Sequence, residues 1–268
     1  MLSFDDILQR DGIAISDVVC RHEHGPGECS EYGGPPAIVF VRRGCFVRRA
    51  DGDQELLDPT LACTMIPGQE LRYDHPHPGG DDCTYVTMTP ELVAALWGGA
   101  PRLPAGTLPT PGAVDLEHRL LLAAARRGDD PDGVVERAIT LSARVLEAAD
   151  PHRVASGAPA TSAARRRLAD GAREALAADT NRSLPELAAD LDTSPHHLSR
   201  VFSAAAGHTI SRHRMRLRAR VALERLAGGD DNLARLAADL GFADQSHLCR
   251  VVRDETGETP GALRSRLA

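Results

Sequence analysis

The stretch SLPELAADLDTSPHHLSRVFSAAAGHT (Ser183–Thr209) returns about 50 residues further on as NLARLAADLGFADQSHLCRVVRDETGET (Asn232–Thr259). The shared pentapeptide LAADL, at Leu187–Leu191 and Leu236–Leu240, would mean little alone in a chain rich in alanine and leucine. The alignment continues past it. Leu198-Ser199-Arg200-Val201 faces Leu248-Cys249-Arg250-Val251, Gly207 faces Gly257, and Thr209 faces Thr259, with one extra residue in the second turn. That extent rules out chance, so one structural unit is used twice.

The punctuation of the unit is physical. Ser183 and Glu186 have the S-x-x-E spacing of a capping box ahead of a short helix carrying Leu184, Leu187 and Leu191. Ser194-Pro195 reads as a cap followed by proline at the first helical position, and Asp244 takes the capping place in the second copy. Leu198, Val201 and Phe202 fall on one helical face, as do Leu248, Val251 and Val252. Gly207 and Gly257 stand where helices end in a left-handed residue. Short helix, tight turn and second helix make a helix-turn-helix pattern.

The outward face of each second helix carries donors and small groups: His196, Ser199, Arg200 and Ser203 in one copy, Ser246, Cys249, Arg250 and Arg253 in the other, with Gln245 near the helix start. A helix fits the DNA major groove, where arginine bridges guanine O6 and N7. Between the units, Ser211–Leu226 carries Arg212, Arg214, Arg216, Arg218 and Arg220. Alternate positions fan around a helix, so only some of these face any one partner.

Residues from about 165 to 268 resemble the DNA-binding domain of the AraC/XylS family of bacterial transcription regulators. The second unit, with Gly241-Phe242, Asp244-Gln245-Ser246-His247, Arg250, Gly257, Thr259-Pro260 and Arg264, follows the family pattern most closely. The resemblance implies recognition helices in successive major grooves of double-stranded DNA. His196, Ser199 and Arg200 would read the first groove, and Gln245, Ser246, His247 and Arg250 the second. The first unit departs from the pattern in having His196 where a larger side chain often sits. The resemblance also implies an N-terminal cupin-like barrel sensing a small-molecule or metal effector, helices that form a homodimer, and an activator that works with RNA polymerase.

Composition agrees. The net charge of −7 divides unevenly: residues 162–268 hold 17 arginines against 14 carboxylates, and residues 1–161 hold 14 against 24. A mildly basic tail on an acidic body fits a polyanionic partner. All cations are arginine. No apolar run approaches a membrane span, the N-terminus lacks an export signal, and the six cysteines are expected to be reduced thiols in a cytoplasm.

The first half reads as strands over residues 12–90: Ala37–Val41, Gly44–Val47, a hairpin turn at Asp51-Gly52, Leu61–Ile66 and Thr84–Met88. Val114–Arg127 and Val134–Glu147 have the period of an antiparallel helix pair. The expected fold is α+β: a cupin-like β-barrel over 1–112, a helical pair suited to dimerisation over 113–150, a linker over 151–162, and an all-α DNA-binding domain with two helix-turn-helix units over 163–268.

The barrel holds candidate metal ligands. Cys20, His22 and His24 alternate, so on a strand they share one face, and Glu28 completes H-x-H-x3-E. Cys29 adjoins that motif, and His75 and His77 supply a second H-x-H, with Cys83 following. Imidazole and thiolate suit Zn²⁺ or another divalent ion. Two other readings stand beside this one: redox sensing through Cys20, Cys29, Cys45, Cys63 and Cys83, and ordinary loop and core residues. No enzymatic activity is expected, since Ser-His-Asp, P-loop and dinucleotide motifs are missing. The alternative is a metal-dependent cupin oxygenase or isomerase fused to a DNA-binding tail. An alkylation-repair protein would need a four-cysteine zinc box, which is absent.

Overall fold

The computed structural model describes residues 2–21, 29–76, 79–97, 101–147 and 159–267. In the first half are strands β1 (Leu2–Arg10), β2 (Ile13–Cys20), β3 (Cys29–Tyr32), β4 (Ala37–Arg43), β5 (Phe46–Ala50), β6 (Asp53–Leu57), β7 (Leu61–Met65), β8 (Glu70–Asp74), β9 (Asp81–Met88) and β10 (Thr107–Pro109). Helices α1 (Pro90–Leu96), α2 (Gly112–Arg127) and α3 (Pro131–Glu147) accompany them. The second half is helical: α4 (Pro159–Ala178), α5 (Leu184–Asp190), α6 (Pro195–Ala206), α7 (Ile210–Ala227), α8 (Leu233–Asp239), α9 (Gln245–Thr256) and α10 (Pro260–Leu267).

Among the described residues the strands do not close into a barrel, which corrects the expected architecture. They form a six-stranded sheet, β1-β2-β9-β4-β7-β10, and a four-stranded sheet, β3-β8-β5-β6. The inner faces meet through Val18, Val39, Val41, Phe46, Leu57, Cys63 and Cys83. The outer face of the larger sheet is apolar too: Ile13, Ile15, Ile38, Phe40, Val86 and Met88 pack against the helical layer. A strand covered on both sides has no polar alternation to show, and the buried run of β4 reads that way.

The Asp51-Gly52 turn occurs as expected, with both residues at positive φ (52° and 86°) between β5 and β6. Asp11-Gly12 (φ 50° and 79°) makes the same two-residue turn between β1 and β2, with Arg10 opposite Ile13. Strand β1 lies outside the expected strand region because it is an edge strand, exposed over most of its length, and its sequence LSFDDILQR is polar to match.

Helix α2 lies between two cores. Val114, Leu121, Leu122 and Ala124 pack on the sheet and α3, while Leu116 joins the core of the second helix-turn-helix unit. Only Ala113, Arg126 and Arg127 of its residues are exposed. Helix α4 begins at Pro159, inside the stretch expected to be a linker. Long helix α7 serves both units: Ile210 and Leu217 enter the first core, and Ala219, Ala222, Leu223 and Leu226 enter the second.

Candidate nucleic-acid interface

The caps place the two recognition helices. Ser183 Oγ accepts from the Glu186 backbone N–H, and the Glu186 carboxylate accepts in return from the Ser183 N–H at 2.7 Å. Ser194 Oγ accepts from the His197 N–H at 3.2 Å and starts α6; Asp244 accepts from the His247 N–H at 2.7 Å and starts α9. Both helices end at left-handed glycines, Gly207 (φ 73°) and Gly257 (φ 83°). Leu198, Val201 and Phe202 turn inward on α6, as do Leu248 and Val252 on α9.

The opposite faces are open. His196 and Arg200 are exposed and Ser199 is half-buried; Gln245, Ser246 and Arg250 are exposed. The Cys249, Arg250, Arg253, Asp254 and Thr259 side of α9 borders an open cleft of about 540 Å³. His247 has a local task as well. Its Nδ1 accepts from the Ala243 N–H at 3.3 Å, and its ring meets Phe242 edge-on with centroids 5.4 Å apart. It braces the turn from which α9 starts.

Most of the arginine run of α7 turns inward, while Arg212 stays exposed. Arg212 Nη2 meets Glu255 of α9 at 2.6 Å, and Arg216 meets the same carboxylate at 3.5 Å. Arg214 donates to the Arg182 carbonyl at 2.6 Å. Arg218 spans the two units: it donates to Thr180 O (3.2 Å) and Asn181 Oδ1 (2.8 Å) beside the first and to Gly241 O in the second. A Cβ at Gly241, whose φ is +70°, would lie 2.8 Å from Arg218 Nη2 and 2.6 Å from Asn181 Oδ1. Glycine there serves both the left-handed turn and the close approach of the guanidinium. These arginines hold α9 against α7 and join the turns ahead of α5 and α9.

Two buried carboxylates fasten the N-terminal half to the C-terminal helices. Asp58, between β6 and β7, is fully buried. It receives Arg173 of α4 at 2.9 Å, Thr60 Oγ1 at 2.6 Å and the Thr60 N–H at 2.8 Å, with His213 Nε2 at 3.5 Å. Burial would raise this carboxyl's pKa, but Arg173, His213 and Thr60 outweigh it and hold the group below the usual range. Asp115 of α2 pairs with Arg119 and Arg220, both at 2.9 Å. There too burial is outweighed, by Arg119, Arg220 and His118, and the pKa is lowered. Arg220 also donates to the Pro59 and Thr110 carbonyls, and Arg119 bonds Glu224 of α7. Gly112 packs so closely on α9 that a Cβ would lie 2.0 Å from the Glu255 carbonyl oxygen.

Of the expected metal ligands, His22, His24, Glu28 and His77 lie outside the described residues, and Cys29 opens β3. Cys20 and His75 come together, and the third member of their group is Asp81, which the motif reading missed. The thiols suggested for redox sensing include three deep in the fold. Burial pushes Cys45 up to about 12, Cys63 up to about 11 and Cys83 well above the ordinary value, with Asp81 adding to the last. Such thiols stay protonated and are poor nucleophiles.

Residues 187–266 match the family model described as Helix-turn-helix domain. No curated protein matches the chain. Among solved structures, ToxT from Vibrio cholerae O395 is 10% identical, with 99% of this chain and 98% of that chain covered at a TM-score of 0.36. A DNA-binding transcriptional dual regulator from Escherichia coli K-12 is 20% identical over 37% of this chain and 91% of that chain, at a TM-score of 0.34. The family match falls on the repeated, capped units joined by α7, so the C-terminal part of this chain carries a helix-turn-helix domain.

Proposed function

We propose that the chain is a sequence-specific DNA-binding transcription regulator whose N-terminal two-sheet region senses an effector and biases the DNA-bound form. One observation carries this: α6 and α9 each turn a polar, arginine-bearing face to solvent, while Arg218 of α7 ties the turn ahead of α5 to the turn ahead of α9. In this reading His196, Ser199 and Arg200 address one major groove, and Gln245, Ser246 and Arg250 the next. His247 positions α9 and lies close enough to its start to reach the same groove. Exposed arginine supplies the bidentate contact to guanine. Two units on one chain need not dimerise to span two grooves, though a second copy would add avidity. Activation through RNA polymerase follows the family resemblance of the second unit.

The buried Asp58 and Asp115 contacts support the regulatory half of the reading. Loops of the sheets reach α4 and α7 through charged pairs with little water around them, so a shift in the sheets strains the helices directly. The test is a footprint on operator DNA selected from random sequence. Protection of two successive major grooves on one side of the duplex, by one chain and weakening steeply with salt, is expected. Protection confined to one groove per chain refutes the paired arrangement.

A further inference from the structure

We propose that Cys20, His75 and Asp81 form a Zn²⁺ site joining the two sheets. One donor atom from each residue, a thiol sulfur, a ring nitrogen and a carboxylate oxygen, lies within 4.8 Å of the other two. Tetrahedral zinc with bonds of about 2.0–2.3 Å sets neighbouring donors roughly 3.3–3.6 Å apart, so a metal would part the 2.6 Å His75–Asp81 hydrogen bond and take its place between the two donors and Cys20. The backbone already brings the residues together. Cys20 ends β2 directly opposite Asp81 at the start of β9, so both side chains leave the six-stranded sheet on one face. His75 follows β8 of the four-stranded sheet. A metal here would tie the ends of two sheets that share no strand pairing among the described residues.

The surroundings suit that ion. Asp81 is 5% exposed and His75 9%. Neighbouring carboxylates are taken by guanidinium groups: Asp82 by Arg21 and Arg43, and Asp74 by Arg49. Asp81 instead engages the His75 ring at 2.6 Å and accepts from the Cys83 thiol at 3.0 Å. Cys83 orients the carboxylate from behind, as outer partners of metal ligands do. A thiolate, a carboxylate and a neutral imidazole around Zn²⁺ make a group of zero net charge, which a half-closed apolar site tolerates. One sulfur and one nitrogen favour zinc over magnesium or calcium, which prefer all-oxygen sets. Three protein ligands leave a fourth position for water or an exchangeable anion. The site does not depend on the DNA-binding reading.

The test uses the full chain stripped with a chelator and titrated with Co²⁺, then with Zn²⁺ against a chromophoric competitor. One equivalent of Co²⁺ with a thiolate-to-metal absorption band in the near ultraviolet is expected, displaced by Zn²⁺. Cys20→Ser and Asp81→Asn should each weaken Zn²⁺ binding at least tenfold, with Cys20→Ser also removing the band. Absence of the band in the unaltered protein overturns the proposal without reference to any variant. So does tight Zn²⁺ binding that persists in the Cys20→Ser/Asp81→Asn double variant, which would place the metal elsewhere. Circular dichroism and melting of the metal-free variants verify that loss of binding is not loss of fold.

Discussion

Replacing Arg220 by methionine separates a structural arginine from a DNA-reading one. Arg220 is 2% exposed. It pairs with Asp115 at 2.9 Å and donates to the Pro59 and Thr110 carbonyls. Methionine keeps much of the volume and removes every donor. Breaking a buried pair by removing one partner costs about 3–5 kcal/mol. Asp115 retains Arg119 at 2.9 Å, which pulls the estimate toward the lower end. Two carbonyls left without this donor push it back up by about 1 kcal/mol each. A loss of about 5 kcal/mol is therefore expected in urea denaturation of the full chain, alongside a fall of about 10 °C or more in melting temperature. The comparison is Arg250→Met: Arg250 is exposed, so its stability change should stay within about 0.5 kcal/mol while DNA affinity drops. Refutation would be the reverse pattern, an Arg220→Met chain as stable as the parent but defective on DNA.

Further outcomes follow from the same contacts. Arg250→Ala should weaken binding to a selected operator by about 1–3 kcal/mol and relax preference at one base position; equal loss on random DNA would mean a phosphate contact alone. Arg218→Met should lower affinity for a two-groove site by more than it lowers affinity for a half-site, because it unties the turns at Asn181 and Gly241; equal losses in gel-shift titrations on the two DNAs would contradict that. His118 is buried and stacked on Phe40 at 4.5 Å, and burial lowers its pKa to about 3. The unfolded chain takes up a proton at this histidine below about pH 6.5 and the folded chain does not, so stability falls as pH drops from 6.5 toward 3, by about 2 kcal/mol at pH 5. His118→Phe should shrink the loss between pH 7 and pH 5 by that amount, and an unchanged urea-midpoint difference would count against the assignment.

The repeated unit was legible in the sequence because its signals are local. Ser183, Glu186, Ser194, Asp244, Gly207 and Gly257 act on backbone within four residues of themselves, so each does in the fold what its spacing announces. The strands around Asp51-Gly52 were legible for the same reason, and Asp11-Gly12 carried an equal signal that the polar residues of β1 obscured. The α7 run was ambiguous. Five arginines on one helix read as a basic surface until the partners of each are known, and those partners include residues as distant in sequence as Asp115. Asp81 carried no motif at all; only pairing of β9 with β2 sets it beside Cys20.

From the sequence alone came the two capped helix pairs, the faces they bury, the switch from strand to helix period near residue 112, and the charge division between the halves. These depend on φ/ψ preferences and on periodicity, which operate over a few residues. The tertiary structure alone decided that the described strands form two sheets and not a closed barrel, that α2 is enclosed between two cores, and that Arg216, Arg218 and Arg220 of α7 face Glu255, Gly241, Asn181 and Asp115 instead of solvent. Each of those outcomes depends on which distant surface covers a residue. A guanidinium is stable in water or against a buried carboxylate, and only the packing of the whole chain chooses between them.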